Sequence, residues 1–242
     1  MDSNFKTYNY LSSFGRIDGI LGQSQSNYEE VSELPDRDRL TYSNGFYANC
    51  SALFVDIRGS SRLPDVYNRP ALAKLYRAYI SEMVAIMNGN DRAREVNIVG
   101  DGVWAVFNTP WKVHIDGVFS TAAEANALVQ VLNYKLSKAG YQTPIMVGIG
   151  MAYGRALMIK AGYSGSGIAD VVYMGDVVNA AAKLAAKGSD GYGVPPMMID
   201  NVFAENLNEG NRQLLAMDWS RSCYTANAVN TAMNAWYNEN CT

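Results

Sequence analysis

Along residues 48–186 the hydrophobic period switches repeatedly between that of a strand and that of a helix, and this alternation restricts the fold more than any other feature. Residues 52–57 are apolar apart from Asp56 and, with those before them, long enough for a central strand, which Gly59-Ser60-Ser61 breaks. Residues 71–87 carry apolar side chains at 72, 75, 76, 79, 80, 83, 84 and 87. That is a helical stripe, with Pro70 before it and Asn88-Gly89 after it as start and stop signals. Two β-rich runs, 95–99 and 103–107, are joined by Gly100-Asp101-Gly102 and read as a hairpin. A second helix fits 119–138, with Leu128, Val131, Leu132 and Leu136 on one side and Gly140 past its end. Residues 145–149, 156–159 and 171–174 are strand-like, with a Gly/Ser loop at 161–167, and 177–186 reads as a helix closed by Lys187-Gly188. The order β-α-β-β-α-β predicts an α+β fold with a ferredoxin-like core. A short strand at 197–199, a helix around 202–207 and edge strands would follow it. Residues 1–44 are polar and turn-rich and read as an N-terminal extension, with one short helix, that packs on a neighbouring subunit or exchanges with it. Residues 45–242 then form a single domain.

Composition narrows the function. The chain has 242 residues, 48% of them hydrophobic and 18% charged, which is enough apolar material for a sizeable core. Its net charge of -3 argues against nucleic-acid binding through bulk electrostatics, and no run approaches eighteen apolar residues, so no membrane span is expected. Cys50, Cys223 and Cys241 are an odd set without C-x-x-C spacing, which together with an opening that lacks a basic, apolar leader points to a reducing, cytoplasmic setting. The one histidine, His114, rules out two-histidine zinc motifs and reads as a surface or helix-start residue. There is no Gly-Lys-Ser/Thr phosphate loop, and the glycines at 162–167 lack the strand–helix context of a dinucleotide site.

Two carboxylates stand out by position. Asp56 ends the first strand in Phe54-Val55-Asp56-Ile57-Arg58-Gly59, and Asp101 sits on the hairpin tip. Either alone is an ordinary turn residue. In a ferredoxin-like sheet, however, the first strand and the hairpin are neighbours, and the pair converges on one edge. Two convergent carboxylates with open positions suit Mg²⁺ or Mn²⁺, hard cations that prefer oxygen ligands.

Three stretches carry a family resemblance: Phe-Val-Asp-Ile-Arg-Gly-Ser-Ser from Phe54, Asn-Ile-Val-Gly-Asp-Gly-Val-Trp-Ala-Val-Phe from Asn97, and Tyr-Met-Gly-Asp-Val-Val-Asn-Ala-Ala-Ala-Lys from Tyr173. In this order and spacing they resemble the signature blocks of the class III nucleotidyl cyclases, over about residues 48–190. The resemblance implies that residues 45–242 are a catalytic domain acting as a head-to-tail homodimer with composite active sites. Two Mg²⁺ or Mn²⁺ ions per site would convert a nucleoside triphosphate to a 3′,5′-cyclic monophosphate and pyrophosphate. Asp56 and Asp101 match the metal-binding aspartates, and Ile57 the residue whose backbone carbonyl also touches metal. Gly150-Met-Ala-Tyr-Gly-Arg resembles a family hairpin whose arginine holds the β- and γ-phosphates, which gives that role to Arg155. Asn179 matches the asparagine that orients the ribose. Lys183 stands where most members have an arginine, supplying charge without the bidentate fork. The family's further triphosphate-binding lysine has no clear match; Arg212 and Arg221 are its stand-ins.

Base choice departs from the family. Purine selectivity there rests on Lys and Asp, or Glu and Cys, at the positions of Asn97 and Val172. Val172 cannot accept a hydrogen bond, whereas Asn97 can donate or accept. Phe54, Tyr163 and Tyr173 would narrow the pocket. A pyrimidine fits these residues better than a purine, and the compact form resembles the uridylate and cytidylate cyclases of the Pycsar anti-phage systems. The expected substrate is UTP. Cytidylate cyclisation, or a catalytically silent nucleotide-binding dimer, are the alternatives.

Overall fold

The computed structural model describes residues 4–164 and 167–241. A helix α1 (Tyr10–Leu21) and a short strand β1 (Tyr28–Glu30) precede the central strand β2 (Gly45–Ile57). After a one-turn helix α2 (Leu63–Val66) comes α3 (Arg69–Asn88), then the hairpin β3 (Ala93–Val99) and β4 (Gly102–Phe107). The long helix α4 (Lys112–Lys138) leads to β5 (Val147–Tyr163), β6 (Ile168–Met174) and α5 (Asp176–Ala185). The chain ends with β7 (Met197–Ile199), α6 (Asn201–Asn206), α7 (Glu209–Arg212), β8 (Ala216–Asp218), β9 (Cys223–Ala226) and α8 (Thr231–Asn240).

The sheet order is β3-β4-β2-β5-β7-β9-β8, with β1 parallel to β2 and β6 antiparallel to β5. Its four core strands, β3-β4-β2-β5, connected through α3 and α4, are the ferredoxin-like arrangement expected from the pattern of periods. Side chains alternate across β2, so its two faces serve two cores. Leu53, Val55 and Ile57 pack under α3 and α4 with Leu75, Met83 and Phe119. Phe46, Ala48, Cys50 and Ala52 face the other way, where Val177 and Ala181 of α5 cover them together with Leu34 and Leu40. Residues 28–40 are therefore part of the packed body, whereas α1 has no buried residue.

Three local expectations are revised. The helix placed at 119–138 begins earlier, at Lys112, because Ile115 and Val118 continue its buried stripe toward Pro110. Helix α4 then carries His114 in its first turn. The strands placed at 145–149 and 156–159 are one strand of 17 residues, which pairs with β2 from Gly45–Ile159 through to Ile57–Val147 in a single register. The stretch from Gly150 to Arg155 is thus not a hairpin. Its glycines lie mid-strand because α5 presses on it: a Cβ at Gly150 would come within 2.0 Å of the Ala181 carbonyl oxygen, and one at Gly148 within 2.0 Å of that of Ala185. Strand β5 instead runs on to Tyr163 and pairs there antiparallel with β6, and part of the Gly/Ser loop expected at 161–167 lies outside the described residues.

Candidate active site

Asp56 lies at the C-terminal end of the central strand β2, and β4 returns beside it, with Val55 opposite Val103. Gly100, at φ +64°, makes the left-handed turn that swings Asp101 around the tip. Gly102 leaves room beyond it: a Cβ there would lie 3.3 Å from Asp56 Oδ1. The two carboxylates sense one another. Burial and then the charge of Asp101 raise the Asp56 pKa, against the opposing pull of Arg58. Arg58 donates to Asp56 Oδ2 at 3.0 Å and to the Ala186 carbonyl, just past the end of α5, at 2.8 Å. Asp101 Oδ2 is buried and has no hydrogen-bond partner among the described residues. Buried polar atoms are rarely left unpaired, so this oxygen has room in its bonding for a ligand. Two acidic groups, a buried free oxygen and a cradle open at Gly102 fit a hard divalent cation. Among the described residues no third His, Cys, Asp or Glu joins them, so remaining positions fall to backbone carbonyls and to the substrate's own oxygens.

Sequence reasoning missed Tyr79. Its side chain is fully buried from α3, its hydroxyl has no hydrogen-bond partner among the described residues, and burial, Asp56 and Asp101 all raise its pKa. In the sequence it is one residue of an apolar stripe, which conceals its polar end.

A second group of side chains lies on the same face of the sheet, one row in from the aspartates. Asn97, Trp104, Phe54 and Gly150 stand opposite one another across β3, β4, β2 and β5. The Phe54 and Trp104 rings stack with centroids 5.2 Å apart and planes 3° from parallel, making a flat aromatic wall beside Asn97. Trp104 was not singled out from the sequence, although the hairpin register alone places it opposite Asn97. On β6, Val171 and Tyr173 turn toward the second core while Val172, between them, is 36% exposed and points to the other side. Tyr163 lies at the end of β5, with the Arg16 guanidinium 4.7 Å from its ring centroid.

The remaining sequence-derived candidates are dispersed. Asn179 and Lys183 lie one turn apart on the exposed face of α5, whose Val177, Ala181, Leu184 and Ala185 are buried. Arg155 sits seven positions along β5 from Gly148, the partner of Asp56. It pairs with Glu30 at 3.4 Å and lies 4.4 Å from the Tyr47 ring centroid. Arg212 donates to the Leu207 carbonyl, and Arg221 pairs with Asp218 at 2.9 Å. Among the described residues no helix is long and apolar enough to cross a membrane.

A ferredoxin-like sheet with one aspartate ending its first strand and another on the adjoining hairpin has the layout of a class III nucleotidyl cyclase. Residues 43–192 match the family described as the adenylate and guanylate cyclase catalytic domain, and the chain belongs to that family. It is an enzyme of the nucleotidyl cyclase class. Its relatives narrow this further. A protein named uridylate cyclase from Gulbenkiania mobilis is 41% identical over 262 aligned positions, covering 99% of this chain and 100% of the relative. Another of that name, from Treponema porcinum, is 36% identical over 236 positions, covering 96% of this chain and 82% of the relative. Solved structures show the same fold. A class III adenylyl cyclase-like ATP-binding protein from Pseudomonas aeruginosa superposes with a TM-score of 0.70 at 17% identity, over 93% of this chain and 48% of that one. The adenylyl cyclase CyaB of P. aeruginosa gives 0.61 at 20% identity, over 72% and 85%.

Proposed function

We propose that the enzyme cyclises UTP to 3′,5′-cyclic UMP and pyrophosphate in a homodimer with composite sites, and that the product is a second messenger of anti-phage defence. The observation that carries the chemistry is the Asp56–Asp101 pair with its buried oxygen, unpartnered among the described residues. The base assignment is supported by two near-full-length relatives named uridylate cyclase. It is supported further by Asn97 and Val172, which hold neither of the family's purine-reading pairs.

Asp56, Asp101 and the Ile57 carbonyl would hold two Mg²⁺ or Mn²⁺ ions, whose charge lowers the pKa of the ribose 3′-hydroxyl and neutralises the triphosphate. The rest is positioning by side chains. The 3′-oxygen attacks the α-phosphorus in line, its proton passes to water, and the bond to the β-phosphate oxygen breaks, releasing pyrophosphate. Asn179 would orient the ribose, and Lys183 would stabilise charge on the five-coordinate phosphorus, both from the partner subunit. Arg155 would contribute to the outer phosphates once released from Glu30. Phe54 and Trp104 offer a flat wall for the base, and Asn97 a hydrogen-bonding edge.

The test is an equimolar mixture of the four nucleoside triphosphates with Mn²⁺, the product identified by mass. Cyclic UMP is expected in excess, and Asp56→Ala should abolish it. A cyclic purine as the sole product would overturn the base assignment. Tight UTP binding with no pyrophosphate release would indicate a silent sensor and overturn the activity.

A further inference from the structure

Arg58 directly follows β2, two positions after Asp56, and its own N–H donates to the Met146 carbonyl at 2.8 Å, which extends the β2–β5 ladder by one step. Its side chain is only 18% exposed, and its two terminal nitrogens go to different elements. One donates to Asp56 Oδ2 at 3.0 Å, the other to the Ala186 carbonyl at 2.8 Å. With Oδ2 held, Asp56 Oδ1 is the oxygen on the open side at Gly102. Ala186 caps the C-terminal end of α5, where helix carbonyls lack intrahelical partners and a cation is favoured. The guanidinium therefore spans from the acid pair to the end of α5.

The sheet builds in the same proximity. Asp56 stands opposite Gly148 on β5, and the place of the missing Gly148 side chain is taken by the Ala185 carbonyl. Lys183 and Asn179 lie one and two turns back along α5 from Ala186. A helix seated this closely on backbone transmits displacement instead of absorbing it, so a shift at its end carries both residues along. In the composite dimer proposed above, Asp56 serves one site, while Asn179 and Lys183 of the same chain serve the other. We propose that Arg58 is a positioning residue that ties these two halves together within each chain, so that the acid pair of one site sets α5 for the other. The tie between sites rests on that composite-site reading. It also requires arginine, because a lysine keeps the charge but not the planar fork that holds two acceptors at a fixed separation.

The experiment uses a mixed dimer of an Asp101→Ala chain and an Asn179→Ala chain. One of its sites is dead; the other takes its acids from the Asn179→Ala chain and its α5 from the Asp101→Ala chain. Asp101→Ala leaves Arg58, Asp56 and Ala186 in place. Arg58→Lys is then added to one chain at a time. In the chain that lends α5 it should lower kcat about tenfold, since small misplacements of positioning groups are costly in rate. In the chain that holds the metals a cation still faces Asp56, and the change should stay within about twofold. Equal losses, or a loss only in the metal-holding chain, would overturn the proposal. Asp56→Ala in place of Asp101→Ala frees one end of the tie in the lending chain, so that dimer should be several-fold less active; equal activity would overturn the proposal too. A second readout does not depend on turnover: hydrogen exchange of the α5 amides, followed by mass spectrometry as Mn²⁺ alone is added to the homodimer. Mn²⁺ should slow exchange in the last turn of α5 in the parent but not in Arg58→Lys, whose acid pair is unchanged. No slowing in the parent, or equal slowing in the variant, would count decisively against the tie. If the mixed dimer is already inactive with Arg58 intact, the composite-site reading falls, and the exchange response alone decides whether Arg58 joins the acid pair to α5.

Discussion

Three half-buried aspartates show how strongly surroundings decide what an identical side chain does. Asp101 keeps one oxygen buried without a partner among the described residues, which is what its proposed metal-binding role would need. Asp56 has its pKa raised by burial and by Asp101 but is held in place by Arg58. Asp200 caps α6, accepting from the Phe203 N–H, yet burial outweighs that bond and pushes it from 3.8 up to about 6. A carboxyl whose folded value is raised binds its proton more tightly folded than unfolded. Its relative contribution to stability is therefore greatest below pH 4 and is lost as pH rises to about 6, by about 3 kcal/mol at most. Asp200→Asn keeps a good cap without the charge. The variant should be more stable than the parent at pH 7, and the difference between their urea unfolding free energies should vanish near pH 4. Parallel curves across that range would refute the assignment. At this scale Asp56 and Asp101 were legible in the sequence, because a lone acid in an apolar strand and another in a glycine turn are local signals. The pairing of Glu95 with Arg37 was not, since 58 residues of chain separate them and neither carries a pattern that names the other.

Period and punctuation locate nearly every element; they mislead where mid-strand glycines resemble a turn. Gly148, Gly150 and Gly154 recur at even spacing in β5, and the first two face the backbone of α5, whose small Ala181 and Ala185 let it approach so closely. The same residues that look like a strand breaker in one dimension are a docking groove in three. Helix α5 bears Asn179 and Lys183 on its outer face, so their position depends on this groove. A methyl at Gly150 meets backbone atoms that cannot rotate away. Gly150→Ala should therefore cost more than the roughly 1–3 kcal/mol of an ordinary overpacked core, and lower cyclase activity along with thermal stability. An unchanged melting temperature would show that α5 has slack which the 2.0 Å approach denies.

At the scale of the whole molecule, the proposed dimer would combine the aspartate pair of one chain with the α5 residues of another. If each site takes Asp56 and Asp101 from one subunit and Asn179 and Lys183 from the other, then Asp56→Ala and Asn179→Ala homodimers have no intact site. A mixed dimer, by contrast, has one. Co-expressing the two inactive variants should restore cyclic nucleotide synthesis that neither shows alone, and failure of dimers verified as mixed would place all four residues in one chain's site. Much of this was open to reading from the chain by itself: the ferredoxin-like order of elements, the acid pair and the blocks shared with the cyclases are all consequences of spacing between near neighbours. Only the folded molecule revealed the unbroken β5, the Phe54–Trp104 wall, the tyrosine hydroxyl under the aspartates and the arginine that reaches from the N-terminal segment onto Glu95. Those depend on which residues of distant segments share a face and a depth, and that is decided by packing, which a one-dimensional pattern does not contain.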